Sequence, residues 1–347
     1  MARPAPIAGR IGHVAAAAVK TAWFGAHYLA ARRGAGRVLP EGETLKLTRP
    51  LPKAGDLLAA IRDLVAADRM NVERGLYPAP DGPPLDIAAA MKMSRRFLDD
   101  AAEVARRRRT KAGQEVSEAR ADLPRYYRQN FHYQTDGYLS AESAALYDFQ
   151  VETLFGGTAQ AMRRQAIPML AEAFAGRDQR RLRLLEAGCG TGALTLEIAR
   201  AFPRLNIEAI DPSADYLAAA GKRIEGPRVR FSEGFVEALP HADASFDAAA
   251  SCYLFHELPP KVRKGAAAEL ARVVKSGGHY VHVDSLQAGD TPAFDGLLEA
   301  FPVLFHEPYY ATYRTLDLDA LFGAAGFARV RAATGFLTKA VLFQRVR

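Results

Sequence analysis

LLEAGCGTG runs from Leu184 to Gly192. An apolar run enters a turn that holds Gly188, Gly190 and Gly192, and an amphipathic stretch, GALTLEIARAF, leaves it. Glycines let the backbone turn sharply and come close to a ligand where a Cβ would collide. The N–H groups at the start of the following helix have no partner in the helix and favour an anionic part of that ligand. A tight turn without a ligand has the same composition, so this motif alone sets strand, turn and helix and leaves the ligand open.

Reading downstream, Asp211 ends a second apolar run, LNIEAIDP, 23 positions after Gly188. An acid at that place can accept hydrogen bonds from both ribose hydroxyls of a nucleoside lying across the strand ends. A dinucleotide would satisfy the same logic, but GxGxG preceded by Glu186 differs from the GxGxxG pyrophosphate fingerprint. RLRLLEAGC, LNIEAIDP, RVRFSEG, FDAAASCY and GHYVHVDS read as five strands, with helical stretches such as PKVRKGAAAELARVV between them. Such alternation implies parallel strands with helices on both faces. FARVRAATG and LTKAVLFQRV then meet at a tight turn at Gly335, which makes the last strand antiparallel to its predecessor. The expected fold is α/β: a Rossmann-like, doubly wound, seven-stranded sheet with an antiparallel last strand, plus a helical N-terminal extension.

The chain has 347 residues and 49% hydrophobic residues, enough for one large domain with additions. We divide it into a basic segment over 1–40, a helical region over 41–125 and the α/β domain over 126–347. Turn-rich stretches GAGRVLPEGE and YPAPDGPP punctuate the N-terminal third. AGDLLAAIRDLVAADRM and LDIAAAMKMSRRFLDDAAEVARRRR have helical periodicity. The two cysteines, Cys189 and Cys252, build no disulfide framework and no Cys/His spacing suits a metal, so no metal site is expected. A reducing cytoplasm is the natural compartment.

Six of the seven units of formal net charge fall in residues 1–40, on Arg3, Arg10, Lys20, Arg32, Arg33 and Arg37. The rest of the chain is nearly neutral, which argues against a nucleic-acid partner. Arg106 to Arg109 form a dense basic run, but acids flank it and no aromatics are interleaved, so it reads as a solvated helix end. VAAAAVKTAWFGAHYLAA, Val14 to Ala31, is too short and too rich in alanine for a span, and a cofactor enzyme downstream argues against an export signal. Two readings stay open: a helix at the inner face of a membrane, anchored by Trp23, Phe24 and Tyr28, or a helix packed on the protein's own core.

From about Arg181 to Ser285 the chain resembles the class I S-adenosylmethionine-dependent methyltransferases, nearest to the ubiquinone/menaquinone C-methyltransferase-like (type 11/25) group. EAGCGTG resembles the first motif of that family, IDPSADYL its ribose-binding motif and EGFVEALPHADASFD its adenine-binding segment. FDAAASCYLFHEL and ARVVKSGGHYVHVDS match the fourth strand and the turn before the fifth, and LYDFQVETLFGGTAQAMRR resembles the entry helix, with Tyr147 and Asp148 as its Tyr-Asp pair. The resemblance implies that S-adenosylmethionine is held by Tyr147, Glu186, Gly188, Cys189, Gly190, Gly192, Asp211, Pro212, Gly234, Phe235, Val236 and Ser251. Phe235 stands where the family often has an Asp that contacts adenine.

Methyl transfer from a sulfonium chiefly demands alignment in a site that excludes water. A base is needed only when the acceptor loses a proton. His256 is the first candidate, because imidazole titrates near working pH, and Tyr253 the second. A helix-capping or core histidine explains His256 equally well. Glu257 follows the same strand, and Asp284 ends the fifth. FHYQTDGYLS and FHEPYY add His132, Tyr133, His306 and Tyr310 as second-line candidates around a lid. The expected reaction is methylation of carbon or oxygen on a small-molecule or lipid-like acceptor. A non-catalytic cofactor-binding assembly factor is the alternative, and a nicotinamide-dependent oxidoreductase a weaker one.

Overall fold

Seven strands form one sheet in the computed structural model, which describes residues 7–35, 39, 42, 44–80, 86–118, 120 and 122–346. The strands are β1 (Arg183–Ala187), β2 (Asn206–Asp211), β3 (Val229–Glu233), β4 (Phe246–Cys252), β5 (Val274–Ser285), β6 (Phe327–Gly335) and β7 (Thr338–Arg345), in the order β3-β2-β1-β4-β5-β7-β6. β1 to β5 pair in parallel, and β7 runs antiparallel to both β5 and β6. The expected architecture, including its antiparallel last strand, is present.

Twelve α-helices accompany the sheet among the described residues: α1 (Ile7–Ala35), α2 (Ala54–Glu73), α3 (Ile87–Thr110), α4 (Ala141–Leu154), α5 (Ala159–Arg163) and α6 (Ala166–Ala173) precede it. α7 (Ala193–Ala201), α8 (Ala214–Arg223), α9 (Pro260–Val273), α10 (Asp295–Leu304), α11 (Tyr310–Arg314) and α12 (Leu318–Ala324) connect its strands. Side chains alternate across each strand. Leu184, Ala248 and Ala250 therefore pack with Leu170 of α6 and Ile198 of α7, while Leu185 and Ala249 pack with Leu270 of α9 and Phe322 of α12. Burial on both faces explains why β1 and β4 read as continuous apolar runs.

The register sets Ala187 of β1 beside Ile210 of β2 and Ser251 of β4, so these strands end level. Strand order reverses between β1 and β4, and a crevice opens there beyond the carboxyl ends. The turn expected before the fifth strand is drawn into β5. Gly277 takes a φ of 74°, and a Cβ on Gly278 would lie 2.8 Å from the Asp247 carbonyl oxygen.

The N-terminal helices are docked on this body. Lys20 donates to Glu152 at 2.7 Å, and the Phe24 ring meets Phe149 of α4 edge-on at 5.1 Å. Residues 36–38, 40, 41, 43 and 81–85 of the two turn-rich stretches lie outside the described residues, as do Arg3 and Arg37. Within the basic run, Arg106 pairs with Glu103 and Glu115, Arg107 is buried against Glu115 and Thr135, and Arg108 lies over the Phe305 ring.

A buried pair joins α2 to the end of α5: Arg164 donates two hydrogen bonds of 2.8 Å to Asp68, which also accepts one of 2.7 Å from Tyr77. Arg164→Met strands a buried carboxylate, and breaking such a pair costs about 3 to 5 kcal/mol. Urea denaturation should show a loss of that size; a change below about 1 kcal/mol, the usual worth of an exposed pair, would show that the helices are not anchored here.

Candidate functional site

The crevice takes in about 720 Å³ of space, counted out through its open mouth into solvent. Gly188 and Gly190 form its floor with φ of 69° and 54°, where a side chain would be strained. Behind them Asp211 fastens the turn: one carboxylate oxygen accepts from the Gly190 N–H and the other from the Ser213 N–H, both at 2.9 Å. Burial pushes the Asp211 carboxyl up to about 6 against the opposing effect of these two bonds. Each oxygen keeps a lone pair for a further donor.

Of the expected cofactor residues, Tyr147, Gly188, Gly190 and Asp211 line the crevice, as do Pro212, Gly234, Phe235 and Val236. Glu186, Cys189, Gly192 and Ser251 do not, and alternation and packing explain why. Glu186 shares the face of Leu184 and is buried near Thr195 and Arg163; burial pushes its carboxyl up to about 8, with those neighbours opposing. Cys189 packs with Ala209 and Leu217. Gly192 is required for close approach, since a Cβ there would stand 3.0 Å from Ala220 of α8. Ser251 shares the face of Ala249, has no exposed surface and bonds to the Tyr280 hydroxyl at 2.6 Å.

Tyr253 lines the crevice; its hydroxyl is bonded to Thr338, and burial raises it well above its ordinary value. His256 lies behind the wall with Nδ1 2.5 Å from Asp284. Burial alone would lower its pKa, but the Asp284 carboxylate outweighs this and lifts it to about 9. Asp284 also accepts from the backbone N–H groups of Phe255 at 2.9 Å and Ser285 at 2.7 Å.

Most of the aromatic wall leaves no pattern in the sequence. Tyr126, Tyr127 and Phe131 line the crevice with Tyr138 and Tyr216. Tyr127 meets Phe235 edge-on at 5.9 Å, and Tyr138 meets Tyr147 at the same separation. The aromatic density of FHYQTDGYLS pointed toward Phe131 and Tyr138; no periodicity marked the adjacent tyrosines at 126 and 127. Of the second-line residues, Tyr310 is buried with its hydroxyl on Ser285 at 2.8 Å, and His306 is bonded to Gln129 at 2.8 Å. Tyr133 is buried and tilted against the His306 ring.

Beside the crevice, the structure gathers His132, His256, Glu257 and Glu307, a group that sequence spacing did not reveal. Glu257 faces the crevice and accepts from the Tyr138 hydroxyl at 2.6 Å. Burial, and then the neighbouring Glu307 charge, raise its carboxyl. Burial works to lower His132, but contact with Glu307 prevails and raises it. His132 and Tyr133 hold φ of 56° and 59°, strain of order 1 to 3 kcal/mol each that the surrounding packing must sustain.

Residues 184–278 match the family model described as "Methyltransferase domain". The chain is 32% identical over 161 residues to the ubiquinone/menaquinone biosynthesis C-methyltransferase of Syntrophotalea carbinolica, a match covering 46% of this chain and 64% of that protein. It is 28% identical over 142 residues to a fatty-acid O-methyltransferase of Mycolicibacterium smegmatis, covering 41% and 51% respectively. A second ubiquinone/menaquinone biosynthesis C-methyltransferase, from Methylobacterium nodulans, is 30% identical over 46% of this chain and 62% of its own length. The matches thus span between half and two thirds of these relatives.

Ser251→Ala removes a buried hydrogen bond at the Tyr280 end and nothing at the crevice. We expect a stability loss of about 1 kcal/mol in denaturant titration with unchanged ligand affinity; weakened cofactor binding would return Ser251 to the site.

Proposed function

We propose that this chain, which has a class I methyltransferase domain in residues 184–278, transfers a methyl group from S-adenosylmethionine to carbon or oxygen of a small or lipid-like acceptor. The observation that carries this reading is the buried Asp211 carboxylate, fixed across the Gly188–Gly190 turn at the carboxyl ends of β1 and β2. Bound S-adenosylmethionine supplies an electrophilic methyl group on a positively charged sulfur.

Asp211 accepts the ribose hydroxyls, and the two glycines let the backbone approach the ligand closely. Phe235 and Val236 flank the adenine, with Phe235 contributing stacking in place of a carboxylate contact. The tyrosine rings present faces suited to a sulfonium cation and keep water from the reacting atoms. Alignment is then the main contribution of the chain, with neither Tyr253 nor His256 serving as a free base. The names of the similar proteins, a quinone-biosynthesis C-methyltransferase and a fatty-acid O-methyltransferase, support a small or lipid-like acceptor.

We further infer that the outer face of α1 rests on an anionic membrane surface. Val19 and Leu29 are 55% and 54% exposed there, beside exposed Trp23, Arg32 and Arg33. No helix among the described residues is long and apolar enough to cross a membrane.

Calorimetry should show binding of S-adenosylmethionine and its demethylated product, and none of NADH; the reverse pattern would overturn the proposal. Asp211→Ala should weaken cofactor binding at least about tenfold, since two hydrogen bonds to a charged acceptor are lost. Because the carboxylate form accepts the ribose hydroxyls, affinity should be full above pH 6 and fall as pH drops through about 6, and Asp211→Ala should flatten that profile. Val19→Glu with Leu29→Glu should reduce sedimentation with phosphatidylserine vesicles and leave cofactor affinity unchanged; unaltered sedimentation would remove α1 from the membrane.

A further inference from the structure

We propose that His132, His256, Glu257 and Glu307 bind one divalent first-row transition-metal ion in the wall of the crevice, with an open coordination position toward the acceptor. Three segments distant in sequence deliver these side chains, and one potential ligand atom from each lies within 4.8 Å of all the others. Nitrogen and oxygen ligands sit roughly 2.0 to 2.2 Å from such an ion, so closing on it needs side-chain shifts of only about 1 Å.

Glu307 supplies the second, independent observation. It is 2% exposed, its Oε1 is in ionic contact with His132, a member of the same set, and its Oε2 has no partner. A buried carboxylate oxygen with no partner is costly unless a further donor or cation answers it.

The surroundings are built as metal sites are. Ligating histidines commonly donate their other ring N–H to a carboxylate, which fixes the tautomer and aims the free nitrogen. Asp284 does this for His256 at Nδ1 and is itself held by backbone N–H groups, while the Tyr138 hydroxyl orients Glu257. The left-handed backbone at His132 is sustained by its N–H bond to the His306 carbonyl, which ties its turn to the segment bearing Glu307. Two imidazoles with two carboxylates favour zinc, manganese or iron over magnesium or calcium, which prefer oxygen alone.

Glu257 lines both the crevice and the cluster, so the open position faces the bound acceptor. Resting on the methyltransferase reading, this site selects acceptors with an anionic oxygen, such as a carboxylate, phenolate or enolate, and holds that oxygen in place of a protein base.

Metal-stripped full-length protein, without cofactor, is titrated calorimetrically with Zn²⁺, Mn²⁺ and Mg²⁺. We expect one ion of Zn²⁺ or Mn²⁺ per chain with a Kd of about 1 µM or tighter, and no competition by Mg²⁺. Glu307→Gln and His256→Ala should each weaken binding by about 100-fold or more, and Asp284→Asn, acting through His256, by about 10 to 100-fold. Glu307→Gln preserves shape; should it fail to fold by circular dichroism, the half-buried His132→Ala gives the same readout. Absence of Zn²⁺ and Mn²⁺ binding at about 100 µM, or binding unchanged in these variants, overturns the site. Cofactor binding is measured separately, so loss of the metal site and loss of the methyltransferase reading are distinguishable.

Discussion

The buried carboxylate of Asp284 organises the segment that follows β4 along the crevice. It lies one residue before the end of β5 with no exposed surface, and an ionised group there is tolerable only when its lone pairs are filled. The Phe255 and Ser285 N–H groups and the His256 ring fill them. One consequence is local: the chain leaving β4 must bend back over the end of β5. The other concerns the crevice: that bend brings Glu257 to its lining and His256 into the group with His132 and Glu307. The bend is also held by the Tyr253 N–H on the Val283 carbonyl and by Arg263 on the Phe255 carbonyl.

On the other side of the crevice, Asp211 has a similar part with a different outcome. Its oxygens clasp the glycine turn through Gly190 and the start of α8 through Ser213, but each retains room for another donor. Two buried aspartates at the ends of parallel strands thus divide the labour. One is consumed by the fold, and the other is still available to a ligand.

The helices before the sheet complete the crevice. Tyr147 of α4 and Tyr138 of the preceding loop reach the glycine turn, and α4 is braced by α1 through Lys20 and Glu152 and by Phe24 against Phe149. The Arg164–Asp68 pair anchors α2 to the same body. The N-terminal region therefore shapes the site as well as flanking it. Its helices carry polar partners for buried groups of the α/β domain, Lys20 for Glu152 and Asp68 for Arg164.

The amino-acid sequence by itself determined what short-range pattern can encode. Alternating apolar runs and helical stretches specified the sheet, the hairpin at Gly335 turned the last strand round, and the glycine turn with Asp211 marked the floor of the crevice. These depend on backbone conformation and on spacing along one strand–turn–helix unit. The tertiary structure alone decided which way Glu186 and Ser251 point, because adjacent strand residues face opposite sides and only the packed layers say which side holds the ligand. It alone gave His256 its partner Asp284, built the tyrosine wall from an aperiodic loop, and brought Glu307 to His132. Such contacts join segments far apart in the chain, and no local periodicity records them; they exist only once the strand register has fixed where each loop must return.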